Sequence, residues 1–96
     1  MITTTSNVYT MVAAPMDPML TLSMAVFYLD CYSKDGKHGD KLLGKIEDLA
    51  AWLDVYGFAG IDIEHDFVMR FQALCGHGLS RETLLWMMKN LSEVVS

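Results

Sequence analysis

The residues best equipped for chemistry are His38, His65 and His77, with Cys75 or Asp66 as a further candidate ligand. A metal held by imidazole and thiolate needs ligands preorganised on one element, typically two His at i and i+4 or a Cys-x-x-Cys pair, and no pair here has either spacing. The histidines are therefore expected at the surface or at helix ends. The two cysteines, far apart in sequence, are expected as buried free thiols, because unpaired Cys packs like a small hydrophobe. Gly76-His77-Gly78 lacks the preceding strand and the following Lys that a phosphate-binding loop requires, and no nucleophile-elbow or metalloprotease motif is present. The Asp35-Gly36 turn is not a calcium loop. Counting from Gly36 puts Cys31 and Ser33 where carboxylates belong and Leu42 where the bidentate Glu belongs. The expectation is a protein without metal or cofactor, and not an enzyme.

Charge and aromatic placement say more. Twelve acids stand against seven bases, for a formal charge of -5. That balance repels phosphate backbones and favours encounter with basic partners, so free DNA or RNA is disfavoured as the main ligand. Between Glu47 and Asp66 lie six acids and no Lys or Arg, and the same stretch holds Trp52, Tyr56 and Phe58. Carboxylates around aromatic anchors suit a basic, partly apolar protein surface: the charges speed encounter and the rings supply fixed contact energy. The alternative is a solvated acidic face over an ordinary core. Trp86 stands out separately, on a helix face shared with Glu82, Thr83, Lys89, Asn90 and Glu93. It reads either as an interface anchor, with Met87 beside it adapting to a partner, or as a ring covered by the N-terminal segment. The candidate protein-binding residues are thus Trp52, Asp54, Tyr56, Phe58, Asp62, Glu64, Asp66 and Trp86.

Four helices would position these residues. Residues 1–16, rich in Thr, Ser and Val, read as an extended arm or a short strand near Val8–Val12. Asp17-Pro18 looks like a helix start, with Asp as cap and Pro at the first position; the helix should run to about Ser33. It is apolar on nearly every side, as a central bundle element or a dimer interface would be, although its Leu20, Leu22, Met24, Val26 alternation also fits a strand. Lys34–Asp40 reads as a turn, followed by a helix over 41–56. Its stripe is Leu42, Ile46, Leu49, Leu53 and Tyr56, and Gly57 is placed for a left-handed cap. Asp62 is positioned to cap a third helix whose Ile63, Phe67, Phe71 and Leu74 share a face, ending at Gly76 or Gly78. Ser80 would cap a fourth, to about Val94, with Leu84, Met88, Leu91 and Val95 inward.

Phe67–Leu91, and above all Gly78-Leu79-Ser80-Arg81-Glu82-Thr83-Leu84, resembles the turn and recognition helix of helix-turn-helix DNA-binding proteins. The resemblance implies Ser80, Arg81 and Lys89 as DNA contacts. The pattern departs at Leu74, where the family has a small residue, and at Gly76, which interrupts the preceding helix.

Ninety-six residues allow one core, and a hydrophobic content of 52% exceeds what a minimal core needs, which leaves room for a homodimer. No apolar run is long enough for a membrane span, and no basic segment precedes one as in a secretory leader, so the cytoplasm is the expected location. These features predict a mostly α protein: an arm over residues 1–16 and a single helical domain over 17–96, forming a bundle of about four helices. As function they predict a non-catalytic interaction module, a small acidic regulator or inhibitor of a larger, basic, nucleic-acid-handling protein. A helix-turn-helix regulator is the alternative.

Overall fold

In a computed structural model, which describes residues 16–95, the carboxylate of Asp17 accepts from the backbone N–H groups of Met19 and Leu20 at 3.0 and 3.3 Å. That cap and Pro18 at the first helical position open α1, Pro18–Asp35. The helix ends two residues later than expected. Its stop is Gly36, at φ 68° in the left-handed region, whose N–H donates to the Tyr32 carbonyl. The reading of an extended arm falls, Met16 apart, outside the described residues.

α2, Gly39–Tyr56, starts two residues before the expected Lys41. The first cause is His38, which takes φ 65° and reverses the chain within the short turn. The second is Gly39: a Cβ there would stand 3.1 Å from the Tyr32 ring, so a larger residue would require that ring to shift by a few tenths of an ångström. Leu42, Ile46, Leu49 and Ala50 are buried, as the stripe predicts, but Leu53 is half-buried and Tyr56 exposed. Gly57 closes α2 at φ 61°, ψ -138°, a conformation outside the expected left-handed helical well but equally reserved for glycine.

α3 is Asp66–Cys75, three residues later than an Asp62 cap would make it. The Asp62 carboxylate instead accepts from the N–H of Glu64 at 3.0 Å, forming a local turn, and the cap is His65, whose Nδ1 accepts from the N–H of Phe67. The predicted inward face is corrected accordingly. Ile63 precedes the helix and is exposed, Phe67 is just over one-third exposed, Leu74 is half-buried, and Val68 and Phe71 carry the burial.

α4, Arg81–Val95, follows Ser80, whose Oγ accepts from the N–H of Thr83 at 3.1 Å, as expected of a cap. Its buried residues are Leu84, Met87 and Leu91. Met87 therefore belongs to the core and is not free to adapt to a partner, while Met88 is half-buried and Val95 exposed.

α1 packs on both α2 and α3, and α2 on both α1 and α4, whereas no Cα of α3 comes within 8 Å of a Cα of α4. The spatial order is thus α3, α1, α2, α4. α2 runs antiparallel to α4: Arg81 meets Asp54 at one end and Val95 approaches Gly39 at the other. Phe71, Leu22, Leu42, Ile46, Leu49, Leu84 and Val68 are fully buried in one core drawn from all four helices. The expected mostly α bundle of four helices is what forms, with α1 as a central element. Among the described residues no helix is long and apolar enough to cross a membrane.

Candidate protein-interaction surfaces

The acidic stretch runs from the middle of α2 through the α2–α3 connection to the first residue of α3, and its aromatic residues and four of its acids, Asp54, Asp62, Glu64 and Asp66, fall from Trp52 onward. Trp52 is half-buried there, and its Nε1–H donates to the Ala59 carbonyl at 2.9 Å. Its ring lies against Tyr56, with centroids 4.3 Å apart, and close to Gly60, which also abuts Pro18. Trp52 thus clamps the α2–α3 connection onto α2 and the start of α1, an inward task for a residue expected to face a partner. The remaining members stand outward. Tyr56 and Phe58 are about half exposed, and Asp54, Asp62, Glu64 and Asp66 are exposed. Two residues that sequence reasoning did not assign here join them: Val55, 72% exposed, and Ile63, 60% exposed. Ile63 falls on an inward face only if α3 begins after Asp62, and the helix begins at Asp66; Val55 lies off the inward stripe of α2, which is the signal the sequence carries for it. Asp54 pairs with Arg81 at 3.0 Å, both side chains more than half exposed, so the pair contributes little stability but lowers the charge at one edge of the patch.

Trp86 belongs to a different surface. It is 51% exposed and meets His77 edge-on, with ring centroids 5.0 Å apart. It stands at the rim of an open cleft of about 350 Å³ between α3 and α4. Core residues Leu29 and Leu42 line its depth, Leu74 and Cys75 the α3 side, and Trp86 and Val94 the α4 side. No residue of the acidic end lines this cleft, so the eight candidate residues form two surfaces instead of one.

The remaining chemistry-bearing groups sit at helix ends. His38 and His65 precede α2 and α3, and His77 lies between α3 and α4. Cys31 and Cys75 are unpaired and half-buried, more accessible than the buried thiols expected; the Cys75 sulfur is 3.1 Å from the His77 carbonyl oxygen. Among the described residues no three His, Cys, Asp or Glu side chains converge as metal ligands would. Of the residues implied by the helix-turn-helix resemblance, Ser80 uses its hydroxyl as the α4 cap, Arg81 pairs with Asp54, and Lys89 is exposed. No family model, no curated protein and no solved structure matches this chain.

Proposed function

We propose that this protein is a non-catalytic interaction module, a small acidic cytoplasmic regulator or inhibitor that occupies a basic surface on a larger, nucleic-acid-handling protein. The observation that carries this reading is the α2–α3 end. Val55, Tyr56, Phe58 and Ile63 stand out from it among the carboxylates of Asp54, Asp62, Glu64 and Asp66. An exposed apolar group is ordinary singly, but several together, rimmed by one sign of charge, mark a contact surface. The carboxylates steer a basic partner and the apolar groups supply the energy released when water leaves the contact. The helix-turn-helix alternative has less behind it, since the backbones of α3 and α4 stay apart and Arg81 is already paired with an acid.

The test is affinity capture from the host's lysate, with and without nuclease, comparing wild type with the Asp62→Lys/Glu64→Lys double variant and with Phe58→Ala. Recovery of a basic protein that survives nuclease and is lost with the double variant supports the reading. Recovery of nucleic acid alone, indifferent to the charge reversal, contradicts it.

A further inference from the structure

We propose that the cleft between α3 and α4 is a second docking groove, shaped for an amphipathic helix of a partner protein that carries apolar anchors and basic flanks. The spatial order of the helices creates the groove: α3 and α4 flank the α1–α2 pair without their backbones meeting, leaving a slot whose depth is lined by Leu29 and Leu42 of the core. Such a slot takes the anchor side chains of a helix lying across its mouth, spaced three and four residues apart along that helix.

The rim decides the sign of the partner. Glu82, Trp86, Asn90 and Glu93 follow one another on α4 at intervals of four, four and three residues, which keeps them on one stripe along the mouth. Trp86, Asn90 and Glu93 line the cleft, and Glu82 shares with Trp86 and His77 a shallower hollow beside it. The stripe carries a carboxylate near each end, on positions separated by roughly 16 Å along the helix axis, with the Trp86 ring between; exposed Lys89 shares this helix face but does not line the cleft. No Lys or Arg lines the cleft, so a basic flank meets no opposing charge there. One contact orients each of two rim side chains before anything binds: Asn90 Nδ2 donates to the Trp86 backbone carbonyl at 2.9 Å, and the Trp86 ring packs edge-on against His77. A side chain already ordered loses less freedom on binding, which favours Trp86 as an anchor. A partner helix with two or three apolar residues facing inward, and Lys or Arg about eleven residues apart, matches both the lining and the rim.

The test pans a display library of randomised twenty-residue helical peptides against the full chain. Supporting winners carry apolar residues at i, i+3 or i+4, and i+7, flanked by Lys or Arg. They bind at least tenfold more weakly to Trp86→Ala and to Glu93→Lys, and equally well to Asp62→Lys/Glu64→Lys. Circular dichroism checks that the Trp86 variant stays helical, and exposed Glu93 gives a variant that does not touch the core. No enrichment, winners without basic residues, winners indifferent to both cleft substitutions, or a homodimer that dissolves with Trp86→Ala would each overturn the proposal. Because the cleft shares no residue with the acidic end, this result stands or falls apart from the function proposed above.

Discussion

At the α2–α3 end the apolar side chains stand out among carboxylates, whereas in the α3–α4 cleft they line a hollow whose depth is the core itself. The difference separates two ways of presenting hydrophobic surface. The projecting end lies outside the core, so its side chains can change with little effect on folding. The cleft shares residues with the core, so it cannot be altered at depth without altering stability. Rim and end are therefore the places to test binding, and the cleft's depth is the place to test the fold.

The largest effect should come from that depth. Leu42→Ala removes a side chain that is 1% exposed and touches both core and cleft, and should lower stability by about 2–5 kcal/mol in urea unfolding. Val55→Ala at the projecting end, where the side chain is mostly in water, should stay within about 0.5 kcal/mol of wild type. Equal losses would show that the two surfaces are not built differently.

Next in size is Gly60→Ala. Gly60 holds φ 79° and a Cβ would stand 3.2 Å from Pro18 Cγ, so alanine should cost about 1–2 kcal/mol, measured in the same way, and should loosen the connection that carries Phe58 and Ile63. Trp52→Phe keeps the ring but removes the hydrogen bond to the Ala59 carbonyl, for a loss of about 1 kcal/mol. It should also speed amide exchange across residues 57–61; unchanged exchange would show that Trp52 does not clamp this connection. Smallest is Arg81→Ala, which frees Asp54. Stability should move by no more than about 0.5 kcal/mol because the pair is exposed, while a basic partner should associate faster at low salt.

How much of this was legible in the sequence varied along the chain for physical reasons. Asp17-Pro18 and Ser80 announced their helices because each supplies a side chain matched to free N–H groups, and the Leu42–Ile46–Leu49 stripe was clear because its period fits one helix face. α3 was started too early because Asp62 has two uses for its carboxylate, and the local turn to Glu64 won; His65, not a common cap, then did the capping. On α4 the spacing predicts Met88 inward and Met87 outward, yet both lie about one turn from Leu84 and Leu91, so the period alone does not separate them. Packing against α2 turned Met87 inward. Trp86 was identifiable as outward-facing from its polar neighbours. The cleft beside it was not, because it exists only through the failure of the α3 and α4 backbones to meet, a property of the assembled helices that no local pattern encodes.

The central claim is that the acidic, aromatic end engages a protein partner, and amide hydrogen exchange on the captured complex tests it most directly. Slower exchange over residues 54–66 in the complex than in the free chain is the predicted result. Unchanged exchange there, with protection elsewhere or nowhere, would contradict it.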